Sequence, residues 1–210
     1  MLTSYQTILT VCEAQYEIQK SLFIAHAAPA PSEAAAQEYI HSLKKRYYDA
    51  THNCSAYSIG LDDEQQKADD DGEPSGTAGR PILEVIKKNN MKNIVVVVTR
   101  YFGGIKLGAG GLVRAYSKSA ALALQSAPIT TYILSETYKI YVDYLYQGPL
   151  ENQLFHAAFP ITDKTFQEQA CFFVNILPEQ KDRLLQLVNE STRGTAILEA
   201  CGSGYVEKSC

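Results

Sequence analysis

The order of polar and apolar residues predicts that the chain opens with strands followed by a helix. Residues 4–28 alternate polar with apolar side chains and are rich in β-branched and aromatic types. Two or three antiparallel strands are therefore expected here, and Pro29 and Pro31 end them. Ser32 then predicts the N-cap of a helix over residues 33–47, whose apolar side chains recur at helical spacing.

The pattern that follows predicts a buried sheet and further helices. A strand is expected over residues 54–60, and residues 61–76 are predicted to be a long polar connection. The unbroken valines of residues 93–99 suit a strand in a sheet that is covered on at least one face. After a glycine-rich turn, a helix over residues 112–127 is expected to stop before Pro128.

The remainder of the chain restarts with its own pattern. Strand and helix signals follow in the order β-α-β-β-α-β within residues 131–210, which is the ferredoxin-like arrangement. Each part has enough elements to enclose a core, so a boundary is expected between Pro128 and Leu134. The sequence thus predicts an α+β protein with an N-terminal domain over residues 1–130 and a C-terminal domain over residues 131–210.

Composition bounds the class of protein. Of the 210 residues, 46% are hydrophobic and 20% are charged, as in an ordinary globular protein. No apolar run approaches the roughly 20 residues of a membrane-spanning helix, and the first residues lack the order of a signal peptide. The protein is therefore expected to be cytoplasmic and not to associate with a membrane. The five cysteines are scattered without a CxxC pair, so no disulfide framework, structural metal or cofactor is predicted.

Charge is segregated along the chain, although the formal net charge is only −4. Residues 62–73 carry seven acids, Asp62, Asp63, Glu64, Asp69, Asp70, Asp71 and Glu73. Residues 80–118 are basic, with Glu84 as the single acid among eight Lys and Arg residues. The net charge alone argues against a nucleic-acid binder, but such segregation can matter for anionic partners when the total does not. The alternative is that these cations only solvate helix faces.

The segment DDDGEPSGTAGRP, residues 69–81, permits three interpretations. Its glycines can present free N–H groups at the start of a helix, which is a ready anion site; the residues concerned are Gly76, Thr77, Ala78, Gly79 and Arg80. Alternatively, Ser75 or Thr77 caps the helix with Pro81 in its first turn, and this interpretation is favoured although both can hold together. A metal site is disfavoured because consecutive acids cannot all face one ion without unusual turns. Residues 69–71 are instead expected to form a mobile, solvated loop, because residues 61–72 have almost no apolar side chain to bury.

A second candidate segment, RYFGGIKLGAGGLVR, follows the valine-rich strand. Strand, glycine loop and helix often hold phosphates, but neither a P-loop nor a dinucleotide-binding pattern is present. What remains is a cationic backbone surface with aromatic side chains that can stack; its residues are Arg100, Tyr101, Phe102, Gly103, Gly104, Lys106, Gly108, Gly110, Gly111 and Arg114. His52 and Cys54 lie two apart as a conceivable base and nucleophile or as two metal ligands, but a thiol on a strand is more often a small buried hydrophobe. No catalytic residue is predicted.

Four ordered motifs together resemble the YigZ/IMPACT family. They are KSLFIA from Lys20, ATHNCSAY from Ala50, DDGEPSGTAGRP from Asp70 and RYFGGIKLGAGGLVRAY from Arg100. The resemblance covers nearly the whole chain and matches the bacterial two-domain branch. Five residues within these motifs are expected to support the anion or nucleic-acid site: Lys20, His52, Asp70, Asp71 and Glu73.

The same resemblance implies a fold and a type of function. The first domain is expected to be like the second domain of a small-subunit ribosomal protein, and the second like a module of elongation factor G. Eukaryotic relatives restrain a translation-control kinase, but they carry a different accessory domain, so that partner is not transferred. The resulting hypothesis is a translation-related regulatory protein that binds RNA, the ribosome or a protein. The alternative is an enzyme acting on a nucleotide or phosphorylated small molecule held by the two glycine-rich loops.

Overall fold

The computed structural model describes residues 3–208 and divides the chain into two compact units. One unit runs from Ser4 to Thr131, and the other begins at Tyr132. Helices combine with antiparallel sheets in both units, so the fold class is α+β. None of the described helices is both long enough and apolar enough to cross a bilayer.

The first unit surrounds a five-stranded antiparallel sheet. Its elements are β1 (Ser4–Ile8), β2 (Cys12–Ile18), β3 (Ser21–Pro29), α1 (Glu33–Arg46), β4 (His52–Ile59), β5 (Gln65–Asp69), α2 (Gly79–Lys88), β6 (Ile94–Tyr101) and α3 (Gly108–Ser126). The sheet has the strand order β2-β3-β6-β4-β5. The expected N-cap is confirmed, because the Ser32 hydroxyl accepts a hydrogen bond from the Ala35 amide at 3.2 Å.

Both faces of the central strand β6 are buried. Ile94, Val96 and Val98 pack in a core with α2 and α3, whereas Val95 and Val97 pack in a second core with α1. This double coverage explains an unbroken apolar run in an antiparallel strand, where alternation is the usual pattern.

Two expectations for this unit are wrong in detail. The polar connection contains β5, which pairs with β4 from Ser55↔Asp69 to Ile59↔Gln65; main-chain pairing holds this edge strand although its side chains are polar. The helix α3 begins at Gly108 rather than at residue 112, so Gly110 lies in its first turn instead of in a loop.

The second unit has the ferredoxin-like fold. Its elements are β7 (Ile129–Val142), whose first three residues still belong to the first unit, α4 (Tyr144–His156), β8 (Ile161–Phe166), β9 (Ala170–Ile176), a short 3₁₀ helix (Pro178–Gln180), α5 (Lys181–Thr192) and β10 (Ile197–Glu207). Strands β10, β7, β9 and β8 lie in that order and are antiparallel. Its core is formed by side chains from one face of the sheet and by Leu150, Leu154, Leu184 and Val188 of the two helices.

Candidate functional site

A buried carboxylate lies where the motifs of the first unit converge. The Glu73 side chain is 3% exposed, and its Oε1 accepts hydrogen bonds from Arg100 Nη1 at 2.6 Å and from the Tyr116 hydroxyl at 2.8 Å. His52 Nε2 lies 3.9 Å from the other oxygen, Oε2. Three separate segments, β4, β6 and α3, thus hold the loop that carries Glu73, and removal of one partner would leave a buried charge unpaired.

Cys54 belongs to the same network as a hydrogen-bonded thiol. Its Sγ donates to the Asp70 carbonyl oxygen at 3.0 Å and lies 3.3 Å from the Tyr116 hydroxyl. Burial raises the pKa of Cys54 and also that of Tyr116, so both groups stay protonated at neutral pH. His52 Nδ1 is 2.8 Å from the Asp71 carbonyl oxygen rather than directed at the thiol. Cys54 and His52 therefore form no base and nucleophile pair.

The amides expected to form the first anion site are occupied by Asp70. Its Oδ1 accepts hydrogen bonds from the amides of Ala78 (3.0 Å) and Gly79 (2.8 Å), and its Oδ2 accepts one from Gly76 (2.7 Å). Burial acts to raise the pKa of Asp70, but these donors outweigh it and lower the pKa below its ordinary value. The cap of α2 is thus Asp70, and the expectation of Ser75 or Thr77 is wrong; the Thr77 hydroxyl donates to the Pro74 carbonyl at 2.6 Å.

The neighbouring acids are also anchored, so the expectation of a solvated acidic loop is wrong here. Asp71 Oδ2 accepts a hydrogen bond from the Asn53 amide, and Asp71 Oδ1 pairs with Lys44 Nζ, each at 2.6 Å. Asp69 Oδ1 accepts from the Asp71 amide at 3.0 Å, and Asp69 Oδ2 lies 3.4 Å from Lys44 Nζ. These contacts tie the turn after β5 to α1 and β4. No cluster suited to a metal ion occurs among residues 3–208.

Arg100 is not a surface cation, contrary to the sequence expectation. Its side chain is 6% exposed, and its guanidinium lies 5.4 Å from the ring centroids of both Phe23 and Phe102. Within residues 3–208, its side chain hydrogen-bonds to Glu73, and its buried Nε has no hydrogen-bond partner. Neighbouring Tyr101 donates its hydroxyl to Asp49 Oδ1 at 2.9 Å.

The glycine loop after β6 is fixed at one end and open at the other. A Cβ on Gly103 would lie 2.0 Å from the Lys20 backbone, and the Gly103 amide donates to Ser21 Oγ at 3.1 Å. Gly104 and Gly108 have φ of +85° and +69°, and a Cβ on either would meet nothing within 4 Å. The loop thus packs tightly against the β2–β3 turn and then faces open space.

An exposed surface of mixed character surrounds this open end. We define the loop surface as Phe102, Ile105, Lys106, Val113 and Arg114, all of which are exposed. The residue before α3 provides no side-chain cap, so the positive end of the helix dipole adds to the two cations.

The remaining predicted residues fall outside the loop surface. Arg80 and Lys20 are exposed, at the start of α2 and in the β2–β3 turn, whereas Gly111 is buried against Leu107. Tyr116 and Lys44 were missed by the sequence reasoning. Tyr116 ends the RYFGGIKLGAGGLVRAY motif, which is a signal that could have found it; Lys44 lies in an ordinary basic helix end.

The arrangement defines a two-unit α+β protein with a self-capped acidic turn, a buried ion network and an exposed glycine loop. The model of the Impact N-terminal domain matches residues 19–124. The chain is 42% identical over 208 residues to the IMPACT family member YvyE of Bacillus subtilis, covering 99% of this chain and 96% of that protein. It therefore belongs to the IMPACT family.

Two further comparisons agree. The IMPACT family member YigZ of Escherichia coli is 40% identical over 130 residues, which cover 58% of this chain and 64% of that protein. A crystal structure of a hypothetical protein matches with a TM-score of 0.62 and 29% identity, covering 96% of this chain and 99% of the other.

Proposed function

We propose that the chain is a regulatory binding protein of translation that contacts RNA, alone or within the ribosome, through the loop surface. The observation that carries this proposal is the exposure of Lys106 and Arg114 beside the uncapped start of α3. Cations and a helix N-terminus contact phosphates, and the exposed ring of Phe102 offers a stacking partner for a base. The link to translation comes from the IMPACT family resemblance, and a cytoplasmic location belongs to the same proposal.

Binding is favoured over the enzymatic alternative. The first of the two loops that would hold a phosphorylated substrate has three of its amides bonded to Asp70. The buried thiol of Cys54 has a raised pKa and is therefore a poor nucleophile. The Glu73 carboxylate already accepts hydrogen bonds from Arg100 and Tyr116. A substrate would have to displace these contacts, whereas Lys106 and Arg114 are already exposed.

The test is filter binding of ribosomal and messenger RNA over a salt series. The double variant Lys106→Ala/Arg114→Ala should bind every RNA more weakly. The negative slope of the logarithm of the association constant against the logarithm of the salt concentration should become shallower by roughly one to two, since each lost phosphate contact removes one released counterion. Lys87→Ala/Lys88→Ala is the matched control, because it removes the same charge from the exposed end of α2.

Two results would contradict the proposal. If both double variants weaken binding equally, attraction depends on overall charge and not on the loop surface. If the unmodified protein binds no RNA at low salt, RNA is excluded as a direct partner, and the loop surface has to be tested against proteins instead.

A further inference from the structure

An exposed aromatic ring of the loop surface lies against a buried positive charge. Phe102 is 46% exposed, yet the Arg100 guanidinium lies over its ring, with Cζ 5.4 Å from the ring centroid. The Arg100 side chain itself is only 6% exposed. A single exposed phenylalanine needs no explanation, but a buried cation carries a desolvation penalty. The contact between the two is therefore the feature that calls for a role.

The guanidinium is fixed from the interior of the first unit. Glu73 Oε1 accepts a hydrogen bond from Arg100 Nη1 at 2.6 Å and another from the Tyr116 hydroxyl at 2.8 Å. The Cζ atom also lies 5.4 Å from the ring centroid of Phe23, which is fully buried. At the same time Arg100 Nε is buried without a partner, although most buried polar atoms have one. The position of the guanidinium thus favours contact with the two rings over satisfaction of all its donors.

The main chain that carries the exposed ring is anchored as well. The Phe102 amide donates to Thr51 Oγ1 at 3.0 Å, and the Gly103 amide donates to Ser21 Oγ at 3.1 Å. The next residue, Gly104, has a φ of +85° and open space around its Cα. Phe102 therefore stands on backbone that is fixed, immediately before the open part of the glycine loop.

All four sequence motifs contribute to this arrangement. The residues that contact Phe102, its backbone or the cation beneath it are Ser21 and Phe23 of KSLFIA, Thr51 of ATHNCSAY, Glu73 of DDGEPSGTAGRP, and Arg100 and Tyr116 of RYFGGIKLGAGGLVRAY. Segments that are far apart in the chain thus meet around one exposed ring.

We propose that Arg100 is a positioning residue of the loop surface, which holds the Phe102 ring in one orientation for stacking on an unpaired base without touching the RNA itself. This inference rests on the proposed function and deepens it. A side chain that is mobile before binding loses conformational freedom when a ligand immobilises it. A ring that the protein already holds avoids that loss, so the buried guanidinium strengthens binding through Phe102.

The substitution that tests this role has to spare the fold. Removal of Arg100 alone would leave the Glu73 carboxylate buried and unpaired. Arg100→Met/Glu73→Gln removes both charges at similar volume and keeps an oxygen that can accept from the Tyr116 hydroxyl. Replacement of a buried ion pair by uncharged side chains is often neutral for stability, and thermal unfolding verifies this. Arg100→Lys is a second variant, which keeps the charge facing Glu73 but lacks the planar guanidinium.

The first measurement needs no ligand. The chain contains no tryptophan, so Phe102→Trp provides a single fluorophore at the ring. Its fluorescence anisotropy decay should show restricted motion beside Arg100, free local motion with Arg100→Met/Glu73→Gln, and intermediate motion with Arg100→Lys. Lys87→Ala/Lys88→Ala is the matched control, because it removes exposed cations at the end of α2. Equal motion of the tryptophan in all four backgrounds would overturn the proposal.

The second measurement is filter binding of RNA. Arg100→Met/Glu73→Gln should weaken binding of a single-stranded oligouridylate about fivefold, the effect of one side chain that has to be immobilised. Binding of duplex RNA should not change, because its bases are not available for stacking on a side chain. In a Phe102→Leu background the loss should disappear, since Arg100 acts through that ring. The salt dependence should stay the same, because no phosphate contact is lost.

Two results of the binding measurement count against the positioning role. A loss that persists in the Phe102→Leu background, or that extends to duplex RNA, would show a general disturbance of the loop and overturn the proposal. Full affinity of Arg100→Met/Glu73→Gln for the single strand would overturn it as well.

Failure of the proposed function gives a different pattern. If the unmodified protein binds neither single-stranded nor duplex RNA, the proposed function is wrong, and the role of Arg100 in RNA binding is wrong with it. If Lys106→Ala/Arg114→Ala weakens both RNAs and the arginine variants have no effect on either, the proposed function holds and only the positioning role is wrong.

Discussion

Removal of the Asp70 carboxylate is expected to destabilise the first unit. Asp70 accepts hydrogen bonds from three backbone amides at the start of α2, those of Gly76, Ala78 and Gly79. Substitution of an ordinary capping side chain, which satisfies one or two amides, costs about 1 kcal/mol and at most about 2. Because three amides lose a charged acceptor, Asp70→Ala should lower the free energy of unfolding by about 2 kcal/mol.

The isosteric variant separates hydrogen bonding from charge. Asp70→Asn retains one oxygen, which can still accept from Ala78 and Gly79, so it should lose about half as much stability as Asp70→Ala. Urea unfolding followed by circular dichroism measures both values. Asp62→Ala is the matched control, because Asp62 is an exposed acid of the same segment. A loss of less than about 0.5 kcal/mol for Asp70→Ala, or a loss equal to that of Asp62→Ala, would refute the assignment of Asp70 as the cap.

The depressed pKa of Asp70 gives the same interaction a dependence on pH. The pKa of its carboxyl is below the ordinary value of 3.8 in the folded protein, so the unfolded chain takes up the proton first as the pH falls. The stabilisation is complete above about pH 5 and is lost as the pH falls through 3.8 towards the lower folded value. Asp70→Asn should therefore flatten this part of the stability profile. An unchanged acid limb in Asp70→Asn would show that Asp70 does not contribute to it.

Two further outcomes follow from the packing. Gly103→Ala should destabilise the first unit and disturb the loop surface, because its Cβ would lie 2.0 Å from the Lys20 backbone. Gly148→Ala is the control and should be tolerated, since its Cβ would meet nothing within 4 Å. Equal melting temperatures of the two variants would contradict this packing. Iodoacetamide should label the exposed Cys201 long before Cys54, because Cys54 is buried and its pKa is raised. Mass spectrometry measures the order of labelling, and labelling of Cys54 first would contradict the buried network.

The amino-acid sequence determined the elements whose signals are local. The valine run of β6, the Ser32 cap of α1 and the strand and helix order of the second unit each depend on residues close together in the chain: an unbroken apolar run, a capping hydroxyl, or the local spacing of apolar side chains. Their physical basis is backbone geometry and burial periodicity, which a single sequence displays directly. The motifs also indicated the family, because their order and spacing are long and specific.

Only the tertiary structure decided which polar groups meet. The Glu73 carboxylate is 27 residues from Arg100 and 43 from Tyr116 along the chain, and no local pattern predicts that pairing. From the sequence alone, Arg100 is therefore expected to be a surface cation, whereas the structure shows that its side chain is buried. Asp70 caps α2 from eight and nine residues before two of its partners, Ala78 and Gly79, beyond the reach of a sequence rule for N-caps. A carboxylate enclosed by folding satisfies whichever donors the fold brings to it, because an unpaired buried charge costs more than the chain can sustain.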